Sequence, residues 1–239
     1  MDATAQETKP TSAFWSDALD VFNIVHEPAA VFARIRDRAR VLAPWIVISV
    51  LLVVTTYLMR PYQAAATEAF RATLPPDQAA SVPSGGSLLG LAFVPLFAYV
   101  AFVAGAGLLW IGVSLLGTQA RFTTLMSVLA YSYISYIVFS AVTIAVLLVR
   151  GTAEITSFVD VRAPLGLDLL APGAGLYVGG VLNGINPFSV WGVWLVGTGI
   201  GVTHGTSRAG SIVVTTVAYV IGLLVTMVPL LFVSLATRQ

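Results

Sequence analysis

Cysteine is absent from the 239 residues, which excludes disulfides, thiol catalysis, Fe–S clusters and thiolate metal sites together. Charge is scarce as well. Asp, Glu, Lys and Arg make up 10% of the chain, where a soluble domain carries about a quarter, because a folded surface needs them for solubility. The net charge of +1 supplies no basic field for nucleic acid. There are two histidines, His26 and His204, neither with a partner ligand at metal-binding spacing. No carboxylate pair, Walker loop, HExxH or GxSxG stands in the sequence, so no catalytic residue, metal ligand or cofactor is assigned. What remains is apolar: 57% of the residues, with a mean hydropathy of +0.90. That balance belongs to an integral membrane protein.

A spanning helix needs about 20 apolar residues, at a rise of about 1.5 Å each, to cross a hydrocarbon layer of roughly 30 Å. Five stretches qualify: Val41–Met59, Leu88–Leu116, Phe122–Val149, Pro187–Thr203 and Ser211–Leu235. The fold class expected is therefore all-α, a polytopic membrane helix bundle of about five spans. The domain plan is a disordered tail over 1–12, amphipathic helices over 13–40 and the five-span domain over 41–239, with outer loops at 60–87 and 150–186. Within the first loop a short helix is expected over Tyr62–Thr73, ahead of the Pro83–Gly86 breaker. The Gly- and Pro-punctuated stretch Leu169–Ile185 is expected at the interface or re-entering the protein rather than as a sixth span.

Before the first span, Phe14, Ala18, Val21, Phe22 and Val25 recur at helical spacing with Asp17, Asp20 and Asn23 between them. Pro28 restarts the pattern, and Phe32, Ile35 and Ala39 share a face with Arg34, Arg36, Arg38 and Arg40 interleaved. Two short helices lying on the membrane surface are expected. Phe14, Trp15, Phe22 and Phe32 with the four arginines are the candidate contacts to lipid headgroups or a protein partner. The spans' own packing is not expected to use this arm, so deleting its first helix should leave them folded. Seven of the twelve basic residues sit on the face bearing the arm and the two short loops. The positive-inside rule places that face in the cytoplasm and, with an odd number of spans, the C-terminus outside.

Inside the spans no ionisable group occurs, which disfavours proton-coupled transport. Small residues and hydroxyls fall on defined faces instead. Gly105 and Gly112 in the second span, and Gly197, Gly201 and Gly205 in the fourth, are candidate helix-packing positions, since small residues let backbones approach. Ser132, Tyr136 and Ser140 in the third span and Thr215 and Tyr219 in the fifth line single helix faces. They have two readings: bundle packing, or a semi-polar groove between spans three and five.

Several landmarks resemble the Yip-type membrane proteins, named for interaction with Ypt/Rab GTPases, and specifically their bacterial branch. They are Glu27-Pro28-x-x-x-Phe32-x-x-Ile35 before the first span, Pro44 at its start, Gly117 with Phe122, and Ala130-Tyr131-Ser132. Ile185-Asn186-Pro187-Phe188-Ser189-x-Trp191 and Gly205-x-Ser207-Arg208 complete the set. The resemblance implies a five-span, non-enzymatic protein with a cytoplasmic N-terminus. The Asp-Leu-Tyr-Gly-Pro motif of eukaryotic members is missing, so Rab binding is not carried over. The expected role is a scaffold or accessory protein of the bacterial inner membrane, beside a transporter complex or in membrane organisation. Its partners would be the lipid bilayer and another membrane protein or a second copy, with no nucleic acid. The alternative is a carrier or pore for a neutral solute or lipid.

Overall fold

The computed structural model describes residues 10–82 and 88–236. Among them the chain is helical without strands. α1 (Pro10–Asn23) and α2 (Pro28–Arg36) form the N-terminal arm, followed by the long α3 (Leu42–Arg71) and the short α4 (Pro76–Ser81). Then come α5 (Leu88–Leu115), α6 (Phe122–Ser132), α7 (Ile134–Arg150), α8 (Leu176–Gly184), α9 (Pro187–His204) and α10 (Arg208–Ala236). The pair α6–α7 is one span of 29 residues, and α8 meets α9 at a bend of 51°. Four elements are long and apolar enough to cross a membrane unaided, and five if the bent pair is counted as one span. The polytopic helix bundle expected from the sequence is thus present.

α3 carries the first difference. It runs 30 residues, about 45 Å, straight past Arg60 and Pro61 to Arg71, where an outer loop starting at residue 60 was expected. Proline removes one helical hydrogen bond and clashes with the preceding turn, but packing can hold a membrane helix across it. Here Tyr62 and Ala66 bury against Leu147 and Ile155 in a second, smaller core. α1 likewise begins at Pro10, inside the tail expected over 1–12; residues 1–9 and the Pro83–Gly86 breaker lie outside the described residues.

The second difference is α8, a helix where glycines argued against one. Gly180 and Gly184 lie where α10 crosses. A Cβ on Gly180 would stand 3.0 Å from Met227 Sδ, and one on Gly184 would overlap Leu223. The glycines are the contact surface, which composition alone does not distinguish from a helix breaker.

The joint between α8 and α9 is fully wired. The Asn186 side-chain oxygen accepts from the backbone of Phe188 (2.9 Å) and Ser189 (3.0 Å), and its amide donates to the Asn183 carbonyl at 2.8 Å. Ser189 Oγ accepts from the Asn186 N–H, completing a capping box ahead of Pro187. The Gly184 carbonyl accepts from Tyr219 Oη at 2.5 Å and that of Ile185 from the Leu167 N–H at 3.1 Å. Backbone freed inside a membrane must find partners in the protein, and this joint does so with its own motif.

Neighbour relations place the rest. α5 packs on α3, α6 and α10; α9 packs on α6, α7 and α10; α3 packs on α7. Leu109, Val113, Leu125, Val128, Leu195 and Ile200 form the fully buried centre. Gly197 approaches α10 so closely that a Cβ would stand 2.5 Å from Ile212 Cδ1 and 3.4 Å from its Cα, whereas at Gly201 the nearest atoms are an ordinary 3.7 Å away. Gly197→Leu should therefore lower the melting temperature of the detergent-solubilised protein more than Gly201→Leu; equal melting would show that α9 and α10 do not meet at Gly197.

Candidate functional site

The arm is a helical hairpin docked into the bundle. α1 packs on α3 and α6, α2 on α9 and α6, and Val21, Ile24, Val31, Phe32 and Ile35 belong to the main core at 0–1% exposure. Phe32 is the anchor. Its ring fills the space above Gly199, where a Cβ would come within 2.9 Å of Phe32 Cε1 and 2.6 Å of Val128 Cγ1. Only glycine at this point of α9 leaves room for the ring. Two corrections follow: Phe32 is core rather than a free contact, and the spans do use the arm.

Polarity within α1 departs from that expected: Ala18 and Val21 are buried, but Phe22 and, just past the helix, Val25 are not. Asp17 and Asp20 are buried, while Trp15, Leu19 and Phe22 are exposed. The carboxylates are tolerated inside because arginines from beyond the turn reach them. Arg34 grips Asp20 with two bonds, Nε to Oδ2 at 2.9 Å and NH2 to Oδ1 at 2.6 Å, and Asn23 adds a third at 3.2 Å. Asp20's hydrogen bond and charge hold the Arg34 guanidinium above its ordinary range against the opposing effect of burial. Arg40 pairs with Asp17, and its backbone N–H donates to Ser127 Oγ at 3.0 Å. Tyr131 of α6, fully buried, donates to the Asp17 carbonyl at 3.3 Å. Ser127 is not singled out by sequence; Asp17 and Asp20 read as the polar side of the helix and Tyr131 as part of the Ala130-Tyr131-Ser132 landmark, none of them as a contact. The available signal was the spacing of Asp17, Asp20, Val21 and Ile24, which puts two acids on an apolar helix face opposite a run of arginines.

The four arginines therefore divide. Arg34 and Arg40 brace the hairpin, Arg34 from an exposed position with its side chain 45% accessible; Arg36 pairs with its neighbour Asp37 at 3.3 Å, and Arg38 is exposed with no ion-pair partner among the described residues. Phe14 is half-buried with its ring edge-on to Trp15 at 5.7 Å. Around the arm, the short loops are tied together: Arg121 donates from its backbone to His204 Nε2 at 3.2 Å and from its guanidinium to the Thr203 carbonyl at 2.8 Å.

The glycines and hydroxyls are placed as follows. Gly105 faces Leu129 of α6 at 3.0 Å and Gly112 faces Val214 of α10 at 2.5 Å, measured from a Cβ built on each. Gly205 packs against nothing within 4 Å; it ends α9 at φ +67°, a left-handed position that favours glycine. Ser132 is buried and Tyr136 is exposed in an aromatic row with Tyr133 and Phe139. Thr215 bonds its own helix at the Ser211 carbonyl, 2.8 Å away, and Tyr219 caps Gly184. α10 packs chiefly on α9, α8 and α5, and the third span on α3, α5 and α9. Ser132, Tyr136 and Ser140 are thus kept apart from Thr215 and Tyr219, and the groove reading lacks its two facing walls. Helix-borne hydroxyls mostly return to a carbonyl one turn back, the usual membrane-helix solution.

Among the described residues no group of His, Asp and Glu has a metal-binding arrangement. No curated protein and no solved structure matches the chain. The Yip1 domain model matches residues 22–229, a stretch running from the end of α1 to Pro229 in α10 that takes in the Phe32 anchor and the Asn186 joint. The chain belongs to the Yip1 domain family.

Proposed function

We propose that this protein is a non-enzymatic membrane scaffold or accessory protein of a bacterial cytoplasmic membrane, with its arm on the cytoplasmic side and its C-terminus outside. One observation carries the reading: two carboxylate–arginine pairs close the arm into a hairpin, and the Phe32 anchor with the Tyr131–Asp17 and Arg40–Ser127 hydrogen bonds docks that hairpin on the spans. A clamped arm is a preformed surface, which binds without a large ordering cost. Its outward cations are Arg36 and Arg38 and its most exposed aromatic is Trp15, and arginine and tryptophan are among the residue types that dominate protein interfaces. The orientation rests on the arginine-rich arm and short loops. The partner is another membrane protein or a second copy of this chain, with the bilayer as solvent.

Native complexes isolated from membranes by mild detergent provide the test. Arg36→Gln with Arg38→Gln should remove the associated protein, or the second copy, while leaving the melting temperature unchanged, since neither side chain supports the core. A wild-type chain that runs as a lone monomer, or a complex indifferent to both substitutions, contradicts the proposal.

A further inference from the structure

An apolar stripe runs along the exposed side of α1, flanked by the exposed Ser16 and Asn23: Trp15 is 67% exposed, Leu19 61%, Phe22 49% and Val25, just past the helix, 42%. These residues follow i, i+4, i+7 and i+10, a single stripe. A hairpin lying on the membrane in contact with water would bury that stripe and expose Asp17 and Asp20; this one does the opposite.

Its level in the bundle gives the reason. Arg40 and Arg60 bracket the uncharged first 19 residues of the span through α3, about the length needed to cross the hydrocarbon layer, so Arg40 marks the arm-side boundary. Asp17 lies at that level, paired with Arg40 beside Ser127. From there α1 descends. Phe22 and Val25 form one wall of an open apolar groove completed by Leu51, Ile134, Ile137 and Val138. Leu51 is eleven residues beyond Arg40 along α3, and Ile137 ten beyond Ser127 along α6–α7, or about 15 Å in each case. The arm's stripe and the lipid-facing sides of α3 and α7 are one continuous surface.

Backbone donors facing hydrocarbon need partners: the N–H groups of Ile24, Val25, His26 and Glu27 bond the carbonyls of Asp20, Phe22, Asn23 and Asn23, at 2.9–3.2 Å, whereas α2 starts at the exposed Ala29 and Ala30 without a side-chain cap, which keeps the turn within reach of interfacial water. His26 and Glu27 are exposed at this turn; charge at the bilayer centre is costly, which limits the dip to the outer part of one leaflet.

We infer that the hairpin is inserted turn-first into the arm-side leaflet, with Trp15 at the headgroups and Leu19, Phe22 and Val25 against phospholipid acyl chains. The occupant of the apolar face is lipid, and this holds with or without a protein partner at Arg36 and Arg38.

The chain's lack of cysteine makes the test direct. Nitroxide labels on Trp15→Cys, Leu19→Cys, Phe22→Cys and Val25→Cys, each in the full chain in nanodiscs of phosphatidylethanolamine and phosphatidylglycerol, are compared for collision with oxygen, which concentrates among acyl chains, and with a water-soluble nickel chelate. All four side chains are exposed, so the variants should keep the wild-type melting temperature; Arg38→Cys is the water-side reference. Collisions should shift steadily from nickel toward oxygen from residue 15 to residue 25. A nickel-accessible label at 22 and 25 means a hairpin outside the membrane and overturns the inference. Labels shielded from both probes mean that a protein, either a partner or a second copy, covers the stripe, and overturn it equally.

Discussion

Phe32→Ala will lower the melting temperature of the whole bundle, because the ring it removes sits between α2, Val128 of α6 and Gly199 of α9. Truncating a fully buried phenylalanine costs about 3–5 kcal/mol in soluble cores through lost contacts and the cavity left behind. Close to a bilayer the transfer part shrinks, leaving about 3 kcal/mol as the expectation. The complementary change, Gly199→Leu, drives a side chain into the same ring and should displace α2, by an overpacking cost of about 1–3 kcal/mol or more. Combining the two tests the contact itself. The leucine can occupy part of the space the ring vacates, so the double variant should be more stable than the sum of the single effects predicts. Thermal unfolding in detergent measures all three; strict additivity would mean that Phe32 and Gly199 do not touch.

Asp17→Ala is expected to be the second most damaging change, for a different reason. It strands Arg40, whose Nε already lacks a partner among buried atoms, beside the buried Tyr131 and Ser127. Breaking a buried pair by removing one partner costs about 3–5 kcal/mol, mostly from the charge left behind. The Arg40 side chain keeps 26% exposure and the Asp17 side chain 12%, so water screens part of that and about 2 kcal/mol is the expectation. Asp17→Leu with Arg40→Met, which removes both charges, should recover much of the loss, since the desolvation penalty disappears with the pair. The outward Arg38→Gln should cost almost nothing. Melting temperatures of the three variants decide: a double variant worse than Asp17→Ala would show that the pair attracts more strongly than its burial costs.

Much of this was legible in the sequence because length and hydropathy are local properties. The positions of α5, the α6–α7 span and α10 follow from uncharged stretches flanked by arginines, and the Asn186-Pro187-x-Ser189 start of α9 is a capping signal that reads directly. What could not be read depends on which faces meet. Pro61 looks like an end until Tyr62 and Ala66 find Leu147 and Ile155. Gly180 and Gly184 look like breakers until α10 lies across them. In the arm, Phe22 and Val25 have the hydrophobicity of core residues, and Asp17 and Asp20 that of surface residues. Their inversion appears only when Arg34 and Arg40, fourteen and twenty-three positions away from their partners, close the hairpin, and when the solvent outside is lipid. The hydroxyl faces are the converse case: their periodicity is real, but α9 and α5 stand between the third span and α10.

The central claim is that the arm is part of the bundle rather than an accessory lying on it. Amide hydrogen exchange of the full chain in nanodiscs tests it most directly, because a docked segment exchanges only when the structure holding it opens. The amides of Val31–Arg36 should exchange on the same timescale as those of Leu195–Ile200 in α9, the helix they pack on, and Phe32→Ala should speed the first group selectively. Exchange of Val31–Arg36 at the rate of an isolated short helix, orders of magnitude ahead of α9 and unaffected by Phe32→Ala, would contradict it.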